Sequence, residues 1–234
     1  MAKVDFDEYA ENYNEILEGQ LAFFDKENDY FSEYKVSHVK DILNSTPASI
    51  LEYGCGIGRN LRFFQKYFAG SRIYACDVSE KSLDIAQKNN PGVNFFKVGE
   101  EPEEEGFDLV FVAGVFHHVS VKDRSGVAEH ISSVLSKDGR VCIFEHNPYN
   151  PLTRWLVSTC PFDEDAVLLK PSELKDLLQT SGMKVQPVEY TLFFPNFLKW
   201  LRPFERWLTK LPLGGQYLIT GKRVDSLASH IDKL

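Results

Sequence analysis

The stretch Leu51-Glu52-Tyr53-Gly54-Cys55-Gly56-Ile57-Gly58 constrains this chain more than any other. A short apolar run, Ser49-Ile50-Leu51, reads as a buried strand. It ends in an acid, then glycines at three alternate positions, then a helix beginning near Arg59. Glycine has no Cβ and tolerates positive φ, so a ligand can approach such a turn closely. A second strand-like run, Arg72–Cys76, ends in Asp77. An acid roughly 20 residues beyond the glycines is where a doubly wound fold places a partner for ribose hydroxyls. Together the two features point to a nucleoside cofactor. A dinucleotide turn reads G-x-G-x-x-G and seats a pyrophosphate. Here the third glycine comes one residue early, and Glu52 would repel a pyrophosphate but accept hydrogen bonds from an ammonium group. A nicotinamide-dependent oxidoreductase is disfavoured on both counts.

The surrounding pattern alternates strand and helix across 50–146, as right-handed βαβ units and a parallel sheet require. Strands are expected near 50–53, 72–76, 93–97, 107–112 and 140–145, and helices near 58–68, 79–88 and 122–136. Residues 5–43 carry helical spacing. Pro171-Ser172-Glu173-Leu174 opens a helix that Gly182 closes. Strands near 184–192 and 216–222 complete the sheet. The expected fold is a single α/β domain over 1–234, Rossmann-like, with seven mostly parallel strands and helices on both faces. Its parts are a helical cap (1–45), a cofactor-binding core (46–146) and a substrate-side half (147–234) with a helical insertion at 194–213.

These residues resemble the class I S-adenosylmethionine-dependent methyltransferases. Glu52–Gly58 is similar to their first motif, [DE]-x-G-x-G-x-G. Asp77-Val78-Ser79, Val98-Gly99-Glu100, the run Phe107–Val112 followed by Phe116-His117-His118-Val119, and Asp138-Gly139 before Arg140–Glu145 resemble the later motifs in register, over roughly residues 45–146. The resemblance implies S-adenosylmethionine as cofactor and an antiparallel last strand. It implies that Glu52, Gly54, Gly56 and Gly58 hold the methionine part, that Asp77 accepts from the ribose, and that Val78 flanks the adenine. Glu100 or Glu101 would hold the adenine amino group, and Ala113 would contact the methionine through its carbonyl. Tyr13 would close over the cofactor, or else fill an ordinary core position. Asp77 has a plainer reading as a helix cap.

Base candidates for the acceptor are His118, then His146, with His117 beside them. No H-x-x-x-H pair supports a metal site, so none is expected. The expected reaction is methyl transfer to a small-molecule or lipid- or sugar-linked acceptor, at oxygen. A non-catalytic S-adenosylmethionine-binding module is the alternative.

A formal charge of −8 argues against a global field for nucleic acid, and no nucleic-acid partner is expected. The four scattered cysteines, Cys55, Cys76, Cys142 and Cys160, read as buried thiols in a reducing compartment. With no apolar leader segment and no run of about 18 apolar residues, a cytoplasmic location is expected, with peripheral membrane contact left open. In the insertion, Phe197, Trp200, Leu201, Phe204, Trp207, Leu208 and Leu211 recur at three- and four-residue steps, with Lys199, Arg202, Arg206 and Lys210 on the other face. That pattern fits a lid packed over the substrate pocket, an interfacial helix at a membrane, or a dimer contact.

Overall fold

The computed structural model describes residues 7, 29–102 and 106–224. Tyr13 and most of the 1–45 cap lie outside the described residues. Helix α1 (Tyr30–Ile42) leads into β1 (Ser49–Tyr53), α2 (Leu61–Tyr67), β2 (Arg72–Asp77), α3 (Glu80–Asn89) and β3 (Asn94–Lys97). Then follow β4 (Phe107–Ala113), α4 (Arg124–Val134), β5 (Leu135–His146), α5 (Pro151–Thr159) and α6 (Pro171–Thr180). The chain finishes with β6 (Met183–Val185), β7 (Glu189–Thr191) and β8 (Gln216–Arg223). The sheet order is β3-β2-β1-β4-β5-β8-β6, with β7 also on β8. β1 to β5 pair in parallel, while β8 runs antiparallel to its neighbours.

The single strand expected at 184–192 is two segments in one sheet position. β6 pairs Val185 with Gly221, whereas β7 pairs Glu189 with Leu218, so the register slips by one residue between them. Pro187 stands in the gap. Proline cannot donate to a ladder and is tolerated in sheets at edges and bulges, which is where it sits here. The sheet thus has the seven expected positions with a bulged edge strand.

Strand alternation sends side chains to two cores. Ile50, Leu109, Phe111, Cys142, Phe144 and Leu218 face α1 and α2, packing on Val36, Val39, Leu61 and Phe64. Leu51, Val110, Val112, Val141, Ile143 and Tyr217 face α4 and α6, packing on Ala128, Ile131, Leu174 and Leu178. Both faces of the central strands are therefore dry, as a parallel sheet covered by helices demands. All four cysteines are free thiols and buried.

Residues 196–207 differ from expectation. They form a 3-10 helix with Pro203 inside and a non-helical kink at Leu198. Phe197, Trp200, Phe204 and Trp207 are 47–67% exposed, so the apolar stripe faces outward instead of packing as a lid. The segment's lone acid goes inside instead. Glu205 is buried and accepts from the backbone N–H groups of Phe193 and Phe194 at 3.1 and 3.0 Å. Arg202 also turns inward, its guanidinium 3.4 Å from the centre of the Tyr30 ring on α1. Lys199, Arg206 and Lys210 remain exposed beside the aromatics. Among the described residues, no helix is long and apolar enough to cross a membrane.

Candidate active site

The carboxyl ends of β1, β2, β4 and β5 open into a cavity of about 540 Å³. Ligands of open α/β sheets bind at this edge. The β1 turn shapes one wall. Gly54, Gly56 and Gly58 have φ of +72°, +52° and +79°, the left-handed region that favours glycine. A side chain at Gly54 would strike Val115, whereas a Cβ at Gly56 would meet nothing within 4 Å. Gly58 also explains why α2 starts at Leu61 and not near Arg59: a positive φ cannot continue an α-helix.

Glu52 lies under this turn, 1% exposed. Its Oε1 accepts from Asn60 Nδ2 at 2.6 Å, while Oε2 is buried with no hydrogen-bond partner among the described residues. Burial pushes its carboxyl up to about 8. Asp77, at the end of β2, accepts from the Gly56 and Ser79 N–H groups at 2.7 and 2.9 Å. Burial raises its pKa, against those same bonds. The helix cap is Ser79, whose hydroxyl accepts from the Ser82 N–H. Asp77 is thus a brace of the glycine turn and not the cap of α3.

Val78 and Ala113 line the cavity. Glu100 and Glu101 do not. Glu101 Oε1 is taken by the Gly99 N–H at 3.0 Å and His130 Nε2 at 2.9 Å, and Glu100 points to solvent. The acidic run offered several carboxylates without showing which one the loop would turn inward.

The opposite end of the cavity is ionic. Glu145, 1% exposed at the end of β5, accepts from the Val115 and Phe116 N–H groups at 3.0 and 2.7 Å. It also holds His117 Nδ1 at 2.6 Å. Burial opposes a charge on His117, but Glu145 and Asp163 outweigh it and hold the imidazole up to about 9. Both carboxylates favour the protonated form of His117, the third of the expected bases, until its Nε2 proton is displaced. Burial, then the His117 charge, lowers both His118 and His146 to about 4, so both are neutral. Asp163, from the turn after α5, lies 3.6 Å from His117 Nε2 and 3.3 Å from His118 Nε2.

Sequence reasoning assigned no role to Glu145, Asp163 or Lys35. Asp163 and Glu145 come from segments distant in sequence, and only the fold joins them to the His117-His118 pair. Lys35, on α1, also lines the cavity, and burial lowers its ammonium to about 8. Nothing in its helical context distinguished it from a surface lysine. In the Glu145–Pro151 loop, the asparagines are structural. Asn147 donates to the Pro212 and Gly214 carbonyls, and Asn150 caps α5. His146 alone turns from that loop to the cavity.

A glycine cradle after β1 thus stands over a buried carboxylate and beside the acid closing β2, on a sheet of order 3-2-1-4-5-8-6. The family model described as "Methyltransferase domain" matches residues 51–141. A solved S-adenosylmethionine-dependent methyltransferase from Thermotoga maritima, described as a possible histamine N-methyltransferase, shares the fold. Its TM-score is 0.66 at 21% identity, over 94% of this chain and 98% of that one. An uncharacterized methyltransferase of Staphylococcus carnosus (strain TM300) is 25% identical over 60% of this chain and 65% of its own length. The demethylmenaquinone methyltransferase of Thermotoga maritima is 30% identical over 62% of this chain and 61% of its own length. The chain spans less than two thirds of these two curated relatives. Residues 51–141 thus match a methyltransferase domain, and the chain shares the fold of a solved S-adenosylmethionine-dependent methyltransferase.

Proposed function

We propose that the whole chain works as one domain that methylates a small-molecule acceptor, at oxygen. The observation that carries the reading is the buried Glu52 Oε2, without a hydrogen-bond partner among the described residues, beneath three left-handed glycines on the cavity wall. The donor's ammonium fits that oxygen, and the open space at Gly56 admits its backbone-hugging part. Asp77 would take the ribose hydroxyls with its remaining lone pairs, Val78 would flank the adenine, and the Ala113 carbonyl would meet the methionine. When bound, S-adenosylmethionine supplies an electrophilic methyl on a sulfonium. The protein's task is then to position the acceptor in line and dry, which alone can accelerate transfer greatly. Leu156, Val157, Phe162, Leu192 and Phe194 form an apolar acceptor wall beside neutral His118 and His146, suiting an acceptor with an apolar body and a polar hydroxyl. His118 is the first choice to receive the hydroxyl proton and His146 the second, His146 alone being free to do so if His118 is engaged through Nε2. Formation of S-adenosylhomocysteine in the presence of amphiphilic hydroxyl acceptors tests the reading. Donor binding without turnover across such a panel would favour the non-catalytic module.

Two further outcomes are expected. Asp77→Ala should weaken donor binding by about 1.5–3 kcal/mol, the scale for hydrogen bonds to a charged group. Equal affinity in equilibrium binding, with the fold intact by circular dichroism, would leave Asp77 a brace only. Donor binding should also release a proton near pH 7. Glu52, held up to about 8, is protonated there, and an ammonium favours its ionised form. Calorimetry in buffers of different ionisation enthalpy reads the release, which Glu52→Gln should abolish. Proton uptake on binding would contradict the placement.

The outward aromatics favour a second reading, of where the acceptor is met. Phe197, Trp200, Phe204 and Trp207 lie exposed with Lys199, Arg206 and Lys210, and Trp155 and Leu213 are exposed too. Aromatics and cations together on one surface suit an anionic lipid interface, and through it a lipid-linked acceptor. Each basic residue near such a surface contributes about 1 kcal/mol. A Lys199/Arg206/Lys210→Glu variant should therefore lose roughly a hundredfold in vesicle affinity. Co-sedimentation with anionic vesicles at low and high salt checks this, and absence of wild-type binding removes the reading.

A further inference from the structure

From the ring of ligating groups at the inner end of the cavity, we infer a binding site for a divalent transition-metal cation, ligated by His117 Nε2, His118 Nε2 and Asp163 Oδ1. Among the described residues, these three groups offer ligand atoms within 4.8 Å of one another. The two carboxylate-to-imidazole separations are 3.3 and 3.6 Å. A tetrahedral ion with bonds of about 2.0–2.1 Å has ligand-to-ligand edges of about 3.3–3.4 Å. The 3.6 Å separation is longer than a good hydrogen bond and close to such an edge.

The surroundings are those of a built site. Glu145 holds His117 Nδ1 at 2.6 Å, which turns Nε2 toward Asp163. A carboxylate behind a ligating histidine fixes its tautomer and orientation in metal sites generally. Glu145 is itself fixed by two backbone N–H groups, and the His117 carbonyl accepts from the Val167 N–H at 2.8 Å. The His117 and Asp163 side chains are 2% and 8% exposed, so the ligands are already desolvated. His146 stands beside them, its ring centre 4.8 Å from that of His117. All three ligands line the same cavity as the apolar acceptor wall. Two imidazoles and one carboxylate leave a coordination position on the cavity side. Such donor sets suit zinc, iron(II) or cobalt(II) and keep one position for an oxygen ligand. That position would take the acceptor's hydroxyl or a water. Its role toward the acceptor rests on the methyl-transfer reading above, but binding of the ion does not.

The test uses the full chain, stripped by chelator and titrated with zinc by calorimetry, and with cobalt(II) by visible absorption, in the absence of donor. Expected are one site per chain and cobalt bands of a low-symmetry, four-coordinate centre. Asp163→Asn and His118→Gln should each lower zinc affinity a hundredfold or more. Glu145→Gln should lower it 10- to 100-fold, the effect of removing an outer-shell partner. His130→Gln, on α4 and outside the cavity lining, should leave it unchanged. Thermal melting confirms that each variant is folded. Failure of zinc to bind the wild type, or equal binding by folded Asp163→Asn and His118→Gln, overturns the site and leaves the cluster a buried ion pair. S-adenosylhomocysteine titrated into the same samples separates the two ideas. Its binding without zinc binding sinks the metal site alone, and zinc binding without it sinks the donor reading alone.

Discussion

Glu145→Ala is expected to be among the most destabilising single substitutions in the molecule, costing about 3–5 kcal/mol, the range for removing one member of a buried ion pair. The carboxylate is 1% exposed and serves three donors: the Val115 and Phe116 N–H groups and His117 Nδ1. Alanine would strand all three in the interior. It would also leave His117 with Asp163 as its nearest remaining carboxylate, at 3.6 Å. The loop after β4, which carries His117 and His118 to the cavity, would lose its anchor. Urea denaturation of the metal-stripped protein reads the loss. The same measurement against pH reads its cause. His117 has its folded pKa raised to about 9, above its unfolded value. Its contribution is therefore fully present below about pH 6.5 and disappears as pH rises through 9. Wild type should lose stability across that window relative to Glu145→Gln. A pH-independent difference between the two would mean that His117 is neutral. A loss under about 1 kcal/mol for the alanine variant would mean that Glu145 is not the anchor.

Gly54→Ala should cost about 2–5 kcal/mol and should abolish donor binding. The backbone at residue 54 has φ +72°, and holding a side chain there costs about 1–2 kcal/mol. The new Cβ would also stand 2.4 Å from Val115 Cγ2. Valine is stiff at χ1 and cannot swing away, so overpacking adds roughly 1–3 kcal/mol. Relief through the backbone would break the bonds of the Gly54 and Cys55 N–H groups to the Cys76 carbonyl, at 2.8 and 3.0 Å. Those bonds hold the turn against Asp77. Pairing the change with Val115→Ala should recover the packing part and not the backbone part. A denaturation midpoint equal to wild type in the single variant would show that the turn relaxes freely, and that its shape is not imposed by the glycines.

The sheet was legible because its signals are local. Buried strands of four to seven apolar residues, an acid at the end of β1 and another at the end of β2 are readable from neighbours alone. The glycine spacing with Glu52 separated an ammonium-bearing nucleoside from a dinucleotide for the same reason. The bulge at Pro187 was visible as a proline but not as a register slip, since register depends on which β8 residue lies opposite. The 196–207 segment stayed open between a lid and an outward face because three- and four-residue spacing shows that one face is apolar, not which way it turns. The direction is set by Glu205, which the unpaired Phe193 and Phe194 N–H groups draw inside, and by Arg202 stacking on Tyr30. With those two anchored inward, the aromatics turn out. The ionic end of the cavity was the least legible. His117-His118 drew notice as an adjacent pair, but their partners come from the end of β5 and the turn after α5. No periodicity links such segments.

The most direct test is calorimetric titration of the wild type and Glu52→Gln with S-adenosylhomocysteine and, separately, NAD. The expected result is one S-adenosylhomocysteine per chain, with NAD much weaker and with affinity and proton release both lost in Glu52→Gln. Preference for NAD, or S-adenosylhomocysteine binding that ignores Glu52, would contradict the placement of the donor's ammonium on that buried oxygen.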